Sequence, residues 1–362
     1  MEPGRLNAIT DVAGVRVGQV TLISGDGALT SGSGPVRTGV TVVVPHDGDI
    51  WTEPVFAGAH RLNGNGELTG LEWIREAGML GGAIGITNTH SVGVVRDALI
   101  EAAVRAHAMS DAVWALPVVG ETYDGALNDI NGFHVRPEHV HAALAAARDG
   151  PVVEGNVGGG TGMICHEFKG GIGTSSRLAA AWTVGVLVQA NYGERALLRI
   201  DGVPVGAAIP VTDVPSPWDQ VDALTPRAGS EGGSIIGIVA TDAPLLPHQC
   251  VRLAQRVGMG VARMGSYASH GSGDLFLTFA TGNRDLSRTA GEDDPRGTVA
   301  LRMLPDRQIN PLFEAVAEAT EEAIVNALLA AETMVGRDRI TAHALDPDQL
   351  MEIMRATRDR SS

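Results

Sequence analysis

Apolar and polar positions divide the chain into alternating strand-like and helix-like stretches. Residues 15–22 and 38–45 are rich in Val and Thr and read as strands. In 67–76, Leu68, Leu71 and Ile74 fall on one face at helical spacing. Residues 82–89 read as a buried strand, 92–108 as an amphipathic helix, 113–119 as a further strand and 137–147 as a short Ala-rich helix with Pro137 in its first turn. Two strands separated by a turn are predicted at 182–190 and 197–205. Residues 212–233 mix prolines, glycines and acidic side chains without a period, which marks an exposed connector. A short buried strand at 234–240 follows abruptly. Then come a helix (247–263), a strand (274–280), a polar loop (283–296), a long Ala/Glu-rich helix (310–335) and a closing segment (346–355). No repeat of about 20–50 residues is present, so solenoids and propellers are not expected.

Composition narrows the class. The 362 residues are 44% apolar and only 4% aromatic, which suits a core of aliphatic side chains and excludes a disordered chain. Acidic residues outnumber basic ones 42 to 27, a formal charge of −15. Nucleic acid and anionic membrane both demand a basic surface, so neither is expected as the main partner. Lys169 is the only lysine among the basic residues. Cys165 and Cys250 are too few for a disulfide framework and lack the spacing of a thiolate metal site. The N-terminus carries no basic segment followed by an apolar run, and the longest apolar stretch is about half of the ~20 residues a span requires. The expected compartment is the cytoplasm.

The glycine-dense segment 153–177 first suggests phosphate binding. A P-loop fails because Lys169 is followed by Gly170, and a dinucleotide fingerprint fails at Met163 and at Ser176. The segment reads as tight turns and close strand packing, or as the floor of a site. His139 and His141 are two apart, which splays them on a helix rather than pairing them on a metal. His248 reads as a capping or surface residue. No GxSxG elbow occurs. The most informative run is Gly232-Gly233-Ser234-Ile235-Ile236-Gly237, where a connector ends in two glycines and a serine opens a strand. Gly233 can take backbone conformations closed to larger residues. The Ser234 hydroxyl could attack the Gly233 carbonyl and free an α-amine that then serves as the base for its own hydroxyl. An ordinary Gly-Gly turn entering a strand accounts for the same residues. Glu121 and Tyr123, two apart, share a face if their segment is extended.

Longer strings carry a resemblance. They include Asn7-Ala8-Ile9-Thr10-Asp11-Val12, Asn63-Gly64-Asn65-Gly66-Glu67-Leu68-Thr69-Gly70-Leu71-Glu72-Trp73, Thr87-Asn88-Thr89-His90-Ser91-Val92-Gly93, Gly120-Glu121-Thr122-Tyr123-Asp124-Gly125 and Val188-Gln189-Ala190-Asn191-Tyr192-Gly193. With them and the glycine-dense segment, the chain resembles the DmpA-type family nearly end to end. That family is the L-aminopeptidase/D-amidase-esterase and β-peptidyl aminopeptidase group. The resemblance implies an αββα sandwich, layered like the N-terminal-nucleophile hydrolases but differently connected. It implies autocatalytic cleavage between Gly233 and Ser234, giving an α chain (1–233) and a β chain (234–362) within one domain. Ser234 becomes the nucleophile, and Gly271-Ser272-Gly273-Asp274 supplies a relay serine and an orienting acid. Asn191 becomes the oxyanion donor, Tyr123 lies near the acyl-enzyme oxygen, and Glu121 holds the substrate's free amino group. The implied substrates are short peptides, amides or esters of L-, D- or β-amino acids. No metal and no organic cofactor is implied, and the αβ units are expected to form a homo-oligomer. Acyl transfer of the ornithine-acetyltransferase kind and hydrolysis of nylon-type oligomers stand as alternatives, both through a Thr where this chain has Ser234. An uncut scaffold is the non-enzymatic alternative.

Overall fold

The computed structural model describes residues 1–110, 113–224, 233–284, 286–287 and 289–361. In chain order the first elements are β1 (Arg16–Ser24), β2 (Val36–Val44), β3 (Val55–Arg61), α1 (Leu71–Ala77), β4 (Met79–Leu80) and β5 (Ile84–Asn88). Then come α2 (Val92–Ala106), β6 (Val118–Thr122), α3 (Pro137–Ala146), β7 (Ile164–Cys165), β8 (Phe168–Lys169), β9 (Gly171–Ala179) and β10 (Trp182–Asn191). The remainder is α4 (Pro217–Leu224), β11 (Ser234–Thr241), α5 (Pro247–Arg263), β12 (Gly273–Ala280), α6 (Asn310–Leu329), β13 (Met334–Val335), β14 (Thr341–Ala342) and α7 (Pro347–Ser361).

One sheet runs β1-β2-β5-β6 and the other β4-β3-β12-β11-β10-β9. Only β5/β6 and β11/β12 are parallel within them. Side chains alternate across each strand, and both faces of the larger sheet are covered. β11 shows the consequence. Ile236, Ile238 and Ala240 join Ile84, Ile86 and Val118 of the smaller sheet in the core between the two. Ile235 and Val239 instead pack with Leu253 and Val257 of α5 and with Ala323 of α6. A strand buried on both faces reads as an unbroken apolar run, which is why 234–240 is so legible. On the far side, α2 and α3 lay Val95, Leu99, Val140 and Ala143 on Val40, Val42 and Val119. The layers are therefore helix, sheet, sheet, helix, the expected αββα sandwich. Helices sit directly against strands: a methyl at Gly173 would overlap the Ala323 carbonyl of α6, and one at Gly18 the Ala143 carbonyl of α3.

Several elements depart from expectation. β3 has little signal, because Gly58 and two alanines dilute it; Gly58 is needed where α5 presses on the strand at Val251. The strand expected at 113–119 lies at Val118–Thr122, which places Glu121 inside it. Residues 197–205 form no strand. They fold as a turn closed by an Ile200–Val203 bridge between two 3-10 turns, with Leu198 and Val205 buried in the core. Their apolar character reflects burial rather than sheet pairing. The helix expected to reach 335 stops at Leu329, and the one expected at 67–76 begins only at Leu71. The connector at 212–233 contains α4, anchored by buried Pro217 and Val221. Its stretch 225–232, including Gly232, lies outside the described residues.

Candidate active site

Three strand ends meet at one edge of the larger sheet. Asn191 closes β10 and pairs with Ser234, which opens β11; Ser234 pairs in turn with Gly273, which opens β12. Neighbouring strands lie about 4.8 Å apart, so the three residues stand in a row. Asn191 and Ser234 share the alternation of Leu187 and Ile236, whose side chains fill the core between the sheets. They therefore face the smaller sheet, where β6 carries Glu121.

Ser234 is buried, and its Oγ accepts a hydrogen bond from the Gly273 N–H at 3.1 Å. Asn191 is locked on two sides. Its Oδ1 accepts from the Ile164 N–H at 2.8 Å, and its Nδ2 donates to the Tyr123 carbonyl at 3.1 Å. The Ile164 N–H can only donate and the Tyr123 carbonyl can only accept, so the orientation of the carboxamide is fixed by its partners. One proton of Nδ2 is left for a ligand.

Ser272 Oγ donates to Asp274 Oδ1 at 2.6 Å. Burial raises the Asp274 pKa to about 6, against the hydrogen bond from Ser272 and the Ile235 backbone N–H. Its Oδ2 is buried with no hydrogen-bond partner among the described residues. The Tyr192 hydroxyl is in the same position; burial pushes its pKa well up, with the charges of Cys165 and Asp274 adding to the effect.

Glu121 is 3% exposed. Its Oε1 accepts from the Glu67 N–H at 3.0 Å and its Oε2 from Thr89 Oγ1. Burial raises its pKa despite both bonds. Gly66 allows the carboxylate to come close to the start of β12, beside Ser234: a methyl there would lie 2.9 Å from Glu121 Oε1 and 3.3 Å from Gly273 Cα. The face expected to be shared by Glu121 and Tyr123 is not kept, because β6 ends at Thr122. Glu121 is buried, whereas Tyr123 is 37% exposed with its ring against Gly125. At Asn191 it is the Tyr123 carbonyl that is engaged. Gly233 is held in a tight place. Glycine is required there because a Cβ would lie 2.6 Å from Tyr192 Cα and 2.7 Å from the Asn191 carbonyl oxygen. A cleft lined by Glu167, Tyr192, Trp218, Gly233, Tyr267 and Ser272 opens beside the row.

The main-chain donors at Gly273, Ile164 and Glu67 have no sequence signal, since a peptide N–H looks the same at every residue. Thr89 stands in a string that marked the resemblance, but its bond to Glu121 depends on the β5/β6 pairing. The histidines behave as spacing suggests. His139 Nδ1 accepts from the Arg136 N–H at 3.0 Å at the start of α3, and His141 faces Glu101 of α2 at 3.3 Å. His248 is exposed, and Gln249 provides the cap at Leu246. No cluster of three or more metal-ligating side chains occurs among the described residues. No described helix is long and apolar enough to cross a membrane.

Known proteins similar to this chain point to its family. Residues 7–342 match peptidase family S58. The β-peptidyl aminopeptidase BapA of Sphingosinicella microcystinivorans is 48% identical over 363 residues, covering 99% of this chain and 90% of its own length. A Burkholderia sp. β-aminopeptidase superposes with a TM-score of 0.88 at 52% identity, over 98% of this chain and 95% of that one. The L-aminopeptidase D-Ala-esterase/amidase of Ochrobactrum anthropi, described as a variant of the Ntn hydrolase fold, gives 0.89 at 42% identity, over 99% and 96%. With its layered sheets and a serine at the meeting point of three strands, the chain belongs to peptidase family S58 and is a hydrolase of the aminopeptidase type.

Proposed function

We propose that the chain cuts itself between Gly233 and Ser234 and then removes the N-terminal residue from short peptides, amides or esters through an acyl-enzyme on Ser234. The observation that carries this reading is the row Asn191, Ser234, Gly273, with the Ser234 hydroxyl bonded by the Gly273 main-chain N–H and its strand neighbour Asn191 carrying a carboxamide. In the first reaction Ser234 Oγ adds to the Gly233 carbonyl. The C–N bond breaks as the acyl group moves from N to O, and water hydrolyses the ester to leave a Gly233 carboxylate and a Ser234 amine. That amine has a reference pKa of roughly 7.7–8.0 and can take the Oγ proton at neutral pH. Asp274 is placed to orient it: Ile235 is its register partner, and its Oδ2 is unpaired. Ser272, bonded to that acid, relays the proton in this reading.

In turnover Ser234 attacks the substrate carbonyl, the amine protonates the leaving nitrogen, and water resolves the ester. The second proton on Asn191 Nδ2 supports the oxyanion. Glu121 receives the substrate's ammonium, which must be paired once it is out of water. Tyr123 stands at the rim of the same site. The names of the relatives with 48% and 52% identity favour a β-amino acid at the substrate's N-terminus. The reading includes assembly of cut units into a homo-oligomer, which light scattering would measure.

Intact mass spectrometry tests the proposal. Active wild-type protein should show two species of about 24 and 13 kDa, in proportion to 233 and 129 of 362 residues in 37.6 kDa. Ser234→Ala should remain whole and release no p-nitroaniline from a β-alanyl p-nitroanilide. Turnover by Ser234→Ala, or by uncut wild-type chain, would overturn it.

A further inference from the structure

The chain uses arginine for every basic side chain except one. That one, Lys169 in β8, is fully buried. Its Nζ donates to the carbonyl oxygens of Gly170 at 2.6 Å, Met163 at 2.8 Å and Gly160 at 3.3 Å. An ammonium has three protons arranged around one atom, and all three find an acceptor. The flat fork of a guanidinium does not fit three oxygens converging on a point, which gives a chemical reason for lysine here. Burial lowers the Lys169 pKa to about 7; acceptors that bond the ammonium favour the charged form, since only the ammonium has three protons to give. The one titratable neighbour whose charge bears on it is Cys165, with a thiol pushed up to about 12 and so neutral. Among the described residues no carboxylate pairs with the cation.

The Met163 carbonyl belongs to the same peptide unit as the Ile164 N–H, and that N–H holds Asn191 Oδ1 at 2.8 Å. A peptide is conjugated, so a cation at its oxygen draws charge from its nitrogen and makes the N–H a stronger donor. The Asn191 carboxamide is conjugated in the same way. A stronger donor at Oδ1 leaves the Nδ2 protons more positive.

We propose that Lys169 is a positioning residue for hydrolysis, whose ammonium acts through the Met163–Ile164 peptide and the Asn191 carboxamide to orient and strengthen the donor that meets the oxyanion. The inference rests on the reading that Asn191 is that donor. It separates Lys169 from a mere brace of the glycine-dense loop, because a brace would matter equally with or without the Asn191 amide.

A double-mutant cycle decides between them, with kcat normalised to cleaved chain counted by intact mass. For a variant that cuts too slowly to accumulate cleaved chain, its cleavage rate takes the place of kcat. Asn191→Ala should lower kcat by about 10²–10³. Lys169→Met should lower kcat by about tenfold with KM held within about twofold, the pattern of an interaction made in the transition state. In the Asn191→Ala background Lys169→Met should change kcat by less than about twofold. An equal loss in both backgrounds, or an unchanged kcat in Lys169→Met, overturns the inference and leaves the role of Asn191 standing. An unchanged kcat in Asn191→Ala shows instead that the underlying reading has failed. If Lys169→Met does not fold, as judged by circular dichroism, Lys169→Gln carries the same cycle with a neutral side chain that keeps one donor group.

Discussion

Asp274 is a buried carboxyl with one oxygen bonded to Ser272 and the other unpaired. Its pKa is raised to about 6, above its ordinary value, so the folded uncut chain binds a proton more tightly there than the unfolded chain does. The resulting stability is complete below the ordinary aspartate pKa and is lost as pH rises through about 6. Ser234→Ala, locked in the uncut form, should therefore lose melting temperature between about pH 4 and pH 7. Adding Asp274→Asn should flatten that slope. Asp124, raised to about 6, and Glu154, raised to about 7, contribute the same trend, so the difference between the two variants in a calorimetric pH series is the reading. A slope unchanged by Asp274→Asn would contradict the assignment. Glu121 makes a second expectation at this scale. Glu121→Gln removes the charge proposed to receive a substrate ammonium but keeps an oxygen for the Glu67 N–H. KM for a free-amine substrate should rise by about tenfold or more, with a smaller change in kcat.

At the scale of elements, legibility followed from how each segment is buried. β11 lies between two cores and reads as continuous apolar sequence; α5 carries its apolar residues on one side and was bounded correctly at both ends. β3 is equally a strand of the larger sheet, but its small residues are chosen by what presses on it. Residues 197–205 failed in the opposite sense, since burial in a turn imitates a strand. The close seat of α6 on β9 gives a prediction. A Cβ at Gly173 overlaps the Ala323 carbonyl, so Gly173→Ala must push the helix away from the sheet. Overpacking of this kind costs about 1–3 kcal/mol. Urea unfolding of the Ser234→Ala chain should show a lower midpoint with an unchanged slope; an unchanged midpoint would mean that α6 can shift without cost.

At the scale of the molecule, the proposed cut leaves the sheet interleaved. β11 and β12 follow the cut and sit side by side, flanked by β10 on one edge and β3 on the other, both from the first 233 residues. Separating the fragments would break two ladders and open both cores, so the cut chains should stay together. Size-exclusion chromatography under native conditions should give one peak containing both masses. Two separable fragments would contradict this topology.

The sequence by itself determined the aliphatic core, most of the strands and helices, the family to which the chain belongs, and the residues from which a nucleophile, an acid and an oxyanion donor could be drawn. These depend on side-chain type and spacing, which are written along the chain. Only the tertiary structure decided that Asn191, Ser234 and Gly273 stand in one row, that Gly233 is small because Tyr192 crowds it, and that Lys169 reaches Asn191 through a single peptide. The partners there are main-chain groups and strand registers. Every residue carries the same N–H and C=O, so which of them meet is settled by how the sheets pair and stack.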